Sequence, residues 1–144
     1  MIKTKPFPKW PMYTQRELEL IEEVVKSNQW WRMTGTKTKE FEQAFASYHG
    51  AEYCLCVTNG THAIELILSA LGIGKDDEVI VPAFTFISTA TAAVNVNAVP
   101  IPVDVDKDTF CMIPESFEKA ITEKTKAVIP VHMAGHICDM DEIC

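Results

Sequence analysis

The hydrophobic rhythm of the chain changes near residue 52. Before it, apolar positions recur at helical spacing. Leu18, Ile21 and Val25 share one face of a segment ending near Ser27, and Phe41, Phe45 and Tyr48 share one face of a second. "TQRE", Thr14 to Glu17, predicts a capping box for the first helix, with Glu17 reaching back toward the cap. The second helix follows "TGT", and Gly50 predicts its left-handed stop. Between them, "NQWWRMTG" reads as a loop with two adjacent tryptophans. Either one of Trp30 and Trp31 covers the core while the other is half exposed, or the pair lines an interface or a ligand.

From Glu52 onward, short apolar runs alternate with helical segments. Tyr53 to Thr58 predicts a strand, and Thr61 to Leu71 a helix closed by Gly72. "EVIV", Glu78 to Val81, predicts a strand stopped by Pro82, and Ser88 to Asn97 a buried, alanine-rich helix. Val99 to Val105 is extended, Pro114 opens a helix to about Ile121, and Lys126 to His132 is another strand. Continuous apolar strands separated by helices predict a parallel sheet covered on both faces, an α/β architecture. Asp139, with Glu142 three residues on, announces a further helix at the end of the chain, as expected of the front part of a longer protein.

Composition narrows the function classes. At 144 residues, 47% hydrophobic and 23% charged, the chain can bury a globular core. A net charge of -7 argues against a nucleic-acid partner, which calls for a basic face. No apolar run approaches the roughly 20 residues of a membrane helix. The basic start, "MIKTKPFPKWPMY", lacks the apolar stretch and cleavage site of a secretory signal. Five cysteines form no C-x-x-C pair. Cys54 and Cys56 on one strand face would act as small apolar residues, and reduced thiols in the cytoplasm are the expectation.

The stretch with the most definite chemistry is "VTNGTHAIEL", Val57 to Leu66, a strand end running through Asn-Gly into a helix. A helix amino end at the carboxyl edge of a parallel sheet offers unpaired N–H groups and the positive end of the macrodipole, which suit a phosphate. Gly60 allows close approach and Thr61 adds a hydroxyl. A plain turn with a threonine cap, worth about 1 kcal/mol, is the alternative. "PAFTFIST" brings Phe84 and Phe86 to the same edge, where an aromatic face could stack on a flat heterocycle or pack into the core.

Other motifs fail on context. "GIGK" follows a helix, which excludes a phosphate loop. "DVDKDT" has Thr109 where a calcium loop needs glycine. His132 and His136, near Cys138 and Asp139, are separated by Gly135 with no helix indicated, and no metal site is expected.

In order, the blocks "FPKWP", "QWW", "FEQAFASYHG", "TNGTHAIEL", "KDDEVIVPAFTFIST", "AVPIPVDVD" and "TKAVIPVHMAG" resemble the pyridoxal-phosphate-dependent DegT/DnrJ/EryC1/StrS aminotransferases, from Phe7 to Cys144. The resemblance implies an aspartate-aminotransferase-like fold (fold type I). Residues 1–50 would be a helical segment leading into the large domain, and residues 51–144 the front part of its cofactor-binding α/β portion. It implies that Gly60 and Thr61 hold the phosphate of pyridoxal 5'-phosphate and that Phe86 stacks on the pyridine ring. His132 would lie near the floor of the site with no role assigned, and the Trp30–Trp31 loop near a dimer interface. The family's Schiff-base lysine, and the aspartate facing the pyridinium nitrogen, would lie beyond Cys144. No lysine here matches that lysine's motif, so no catalytic residue is expected in this chain, which alone should be inactive.

The implied reaction moves an amino group from a small-molecule donor, glutamine or glutamate, to a cyclic ketone or nucleotide-linked keto-sugar, in a homodimer when full length. Three alternatives stay open at this point. They are a dehydratase of the same family, a truncated non-catalytic companion of a complete subunit, and a free-standing flavodoxin-like phosphate-binding domain.

Overall fold

The computed structural model describes residues 6–144, and the chain divides into two units, one closing at Cys56 and the other spanning Val57–Cys144. In the first unit, helix α1 (Gln15–Ser27) carries the expected capping box. The Thr14 N–H donates to Glu17 Oε2 at 2.6 Å, and the Arg16 N–H donates to Thr14 Oγ1 at 3.3 Å. Helix α2 (Lys37–His49) stops at Gly50, whose φ of 64° lies in the left-handed region that glycine adopts without cost.

The predicted apolar faces of these helices are not the buried ones. Leu18, Ile21 and Val25 are exposed, as are Phe41, Phe45 and Tyr48, whereas Glu42 and Ala46 are the buried residues of α2. The buried carboxylate of Glu42 is held by an ion pair. Arg32 Nη2 lies 2.9 Å from both Glu42 carboxylate oxygens, and the Cys56 N–H donates to Oε1 at 2.8 Å. A carboxylate can be covered when its lone pairs are taken up in this way. The Cys56 amide first, and the Arg32 guanidinium after it, hold the Glu42 carboxyl below the usual carboxylate range. Trp30 and Trp31 are both exposed, so neither covers a core in this unit. The Trp30 indole N–H donates to the Val25 carbonyl at 3.3 Å.

The second unit is built on strand β1 (Glu78–Pro82), flanked by β2 (Val99–Val103) and β3 (Thr125–Val128) in the order β2-β1-β3, all parallel. Val79, Ile80 and Val81 are buried because side chains alternate across a sheet covered on both faces. Val79 and Val81 pack with Leu68 of helix α3 (Gly60–Ala70) and Ala93 of helix α4 (Ser88–Asn95). Ile80 packs on the opposite face with Val103, Met112 and Phe117 of helix α5 (Pro114–Ala120). The short side chains of Ala92 and Ala93, both fully buried, keep α4 close to the sheet. Helix α6 (Met140–Ile143) is capped by Asp139, whose Oδ1 accepts the Glu142 N–H at 3.2 Å.

Three boundaries differ from expectation. Residues 53–58 form no strand, because a ladder needs a partner and the Cys56 N–H is committed to the Glu42 carboxylate. Cys54 and Cys56 are therefore half-buried in irregular chain and do not share a strand face. β3 ends at Val128, short of His132. The Ile129 N–H still donates to the Ile80 carbonyl at 2.9 Å, and Pro130 then has no N–H to continue the ladder. α4 ends at Asn95, short of Asn97, which takes a left-handed φ of 65°.

Ile80 is fully buried in the core between the sheet and α5. Replacing it with alanine should cost about 2–5 kcal/mol, and with valine about 1 kcal/mol, read as the shift of a urea unfolding midpoint at constant slope. A cost below about 0.5 kcal/mol for Ile80→Ala would contradict this packing.

Candidate functional site

All three strands run the same way, so their carboxyl ends share one edge of the sheet. α3 reaches β1 through residues 71–77, which deliver the chain to the strand's amino end. The amino end of α3 therefore lies back toward the carboxyl edge. Residues 83–87 leave β1 at that same edge and open α4. This is where ligands collect in open parallel sheets.

The first turn of α3 begins at Gly60, and its cap is Asn59. The Asn59 backbone is extended, and its Oδ1 accepts the His62 N–H at 3.0 Å. The Ala63 N–H donates to the Asn59 carbonyl at 3.1 Å. The cap is thus asparagine, which corrects the threonine-cap alternative. Asparagine directly before a glycine-led helix is a favoured N-cap, a signal the sequence carried. The Thr61 hydroxyl makes no hydrogen bond to any described residue, and the amides of Gly60 and Thr61 precede the first intrahelical bond.

Gly60 is not needed for backbone reasons, since it is not among the positive-φ glycines. A Cβ built there would meet nothing within 4 Å. Its smallness instead keeps open the space over two free N–H groups at the positive end of a helix. That arrangement fits an anionic group of phosphate size.

The two phenylalanines of "PAFTFIST" divide. Phe84 packs on Phe110 with ring centroids 5.2 Å apart. Phe86 is 75% exposed and has no ring partner among the described residues, which leaves its face available for stacking. Gly60 and Phe86 are exposed and Thr61 is half-buried at the carboxyl edge. A shallow groove of about 400 Å³, lined by Val57, Thr58, His62, Glu65 and Leu66, runs along the flank of α3.

His132 is committed to local structure. Its Nδ1 accepts the Cys138 N–H at 3.1 Å, within the turn that follows β3. Cys111 and Cys138 are buried free thiols that donate to the carbonyls of His136 and Val131, and burial pushes the Cys138 thiol up. Sequence reasoning missed the Arg32–Glu42 pair, because ten residues of separation across a loop carry no periodic signal.

The family model for DegT/DnrJ/EryC1/StrS aminotransferases matches residues 11–144. The chain belongs to that family. It is 49% identical to 3-amino-5-hydroxybenzoate synthase of Amycolatopsis mediterranei (strain S699), over 98% of this chain and 36% of the relative. It is 40% identical to L-glutamine:2-deoxy-scyllo-inosose aminotransferase of Streptomyces fradiae, over 97% of this chain and 34% of the relative. A crystal structure of 3-amino-5-hydroxybenzoic acid synthase superposes with a TM-score of 0.91 at 49% identity, covering 98% of this chain and 37% of the other. NtdA from Bacillus subtilis, with bound cofactor PMP, superposes with a TM-score of 0.82 at 34% identity, covering 99% and 34%. The chain thus spans about a third of the length of the relatives it matches. Its fold is the N-terminal part of the fold type I large domain shared by DegT/DnrJ/EryC1/StrS aminotransferases. Among the described residues, no helix is long and apolar enough to cross a membrane.

Two substitutions separate a cap from a ligand group. Asn59→Ala should lower unfolding stability by about 1 kcal/mol through loss of the α3 cap. Thr61→Ala should leave stability within about 0.5 kcal/mol, because the hydroxyl it removes has no partner in the fold. Thermal or urea denaturation of the two variants checks the contrast. A Thr61→Ala cost as large as that of Asn59→Ala would make Thr61 structural.

Proposed function

We propose that this chain supplies the phosphate seat and ring-stacking face for pyridoxal 5'-phosphate in an aminotransferase acting on cyclic ketones or nucleotide-linked keto-sugars. The observation that carries the reading is the pair of free amides at Gly60 and Thr61, under open space, at one sheet edge with the exposed ring of Phe86. The amides and the Thr61 hydroxyl would donate to the phosphate oxygens. The α3 dipole, worth roughly half an elementary charge at its amino end, favours the dianion. Phe86 would cover one face of the cofactor ring and keep water from it. When bound, the cofactor supplies the electron sink that lets an amino group pass between donor and acceptor carbons.

On this reading, residues 1–50 lead into the large domain and residues 51–144 form the front of its cofactor-binding portion. None of the chain's lysines is proposed for the Schiff base, and this chain alone is not expected to turn over. The donor is glutamine or glutamate and the active assembly a homodimer. The names of the relatives, one a hydroxybenzoate synthase and one a glutamine-dependent inosose aminotransferase, support a ring-shaped acceptor. The odd number of cysteines and the lack of a C-x-x-C pair are the basis for placing the chain in a reducing, cytoplasmic setting.

Equilibrium dialysis against pyridoxal 5'-phosphate tests the reading. Thr61→Ala should weaken binding by about 1–2 kcal/mol, the size of a charge-assisted hydrogen bond. Phe86→Ala should weaken it by about 0.5–1.5 kcal/mol. Binding unchanged in both variants would contradict the proposed seat.

A further inference from the structure

Around the first turn of α3, three side chains close a ring of hydrogen bonds. Asn59 Oδ1 accepts the His62 N–H at 3.0 Å, which turns the Asn59 amide nitrogen toward Thr58, where it donates to Oγ1 at 3.3 Å. The Thr58 hydroxyl thereby accepts from Asn59, and it is also in hydrogen-bond contact with His62 Nδ1. The hydroxyl oxygen keeps a second lone pair and its own hydrogen, so the contact closes the ring with either imidazole tautomer. His62 Nε2 lies 3.9 Å from Glu65 Oε2, while Glu65 Oε1 accepts from the Asn95 side chain of α4 at 2.6 Å. The ring Thr58–Asn59–His62 brackets Gly60 and Thr61, the two residues whose amides are free.

We propose that the His62 side chain is a positioning residue for the phosphate seat. Its imidazole holds the Thr58 hydroxyl and so closes the ring that fixes the direction of the Gly60 and Thr61 N–H groups. The inference rests on the phosphate-seat reading above and adds a determinant to it. His62 touches neither free amide. It acts through Thr58 and Asn59, and its 55%-exposed ring means that removing it opens no cavity. Preorganised donors bind an anion more tightly than the same donors on a mobile turn, because the ordering cost is met in advance.

The test uses the full chain and two probes, pyridoxamine 5'-phosphate and pyridoxamine, which lack the aldehyde that reacts with surface lysines. The readout is their affinity ratio by equilibrium dialysis, which isolates the phosphate contribution. In the wild type the phosphorylated probe should bind more tightly. His62→Ala and Thr58→Val should each cut the ratio roughly 3- to 10-fold, the range of one hydrogen bond. The double variant should be no worse than either single one, since both break the same link. His62→Asn, whose side-chain amide takes the place of Nδ1 and can hydrogen-bond the Thr58 hydroxyl, should restore most of the ratio. A merely helix-stabilising histidine would show no such rescue.

The outcomes separate the two claims. A wild-type chain that does not prefer the phosphorylated probe overturns the phosphate-seat reading, and this inference with it. A wild type that prefers it, with His62→Ala unchanged or with additive losses in the double variant, overturns the role of His62 alone.

Discussion

A helix cannot satisfy its own first amides, and what it does with them decides what its amino end can be used for. In α3 the Asn59 side chain takes the His62 amide and the Asn59 carbonyl takes that of Ala63, which leaves Gly60 and Thr61 open at the carboxyl edge of the sheet. The rest of the second unit serves this arrangement. β1 is buried on both faces, so its ends are fixed, and α3 and α4 pack on one face of it through Leu68, Ala93 and their neighbours. Core packing thus places the first turn of α3, and the chemistry proposed for it comes from backbone groups left unpaired.

The sheet was legible because its signal is strong and local. Val79, Ile80 and Val81 form a short, β-branched apolar run between turn residues, the pattern of a strand covered on both faces. The caps at Thr14, Gly50 and Asp139 were legible for the same reason, since each is a short-range motif with a single geometric meaning. Gly60, Thr61 and Phe86 were singled out from the sequence partly by position after predicted strands and partly by resemblance. The structure adds that Phe84, not Phe86, has a ring partner, a distinction invisible in "PAFTF".

What the sequence hid were features set by partners distant along the chain. Residues 53–58 alternate like a strand, yet alternation specifies only a shape, and the Cys56 amide goes to Glu42. Phe41, Phe45 and Tyr48 have helical spacing, but spacing says which residues share a face and not which face is covered. In this unit the covered face of α2 is the one carrying Glu42, held by the Arg32 fork, and Ala46. The exposure of the adjacent tryptophans was hidden for a similar reason: nothing in their local pattern states what would cover them.

The central claim concerns two named amides, and amide resonances report on them directly. In a 15N-labelled sample of the chain, pyridoxamine 5'-phosphate should move the backbone N–H signals of Gly60 and Thr61 downfield, as expected for new bonds to an anion, whereas pyridoxamine should leave them in place. Saturable shifts elsewhere in the spectrum, with these two signals unmoved by the phosphorylated compound, would contradict the account.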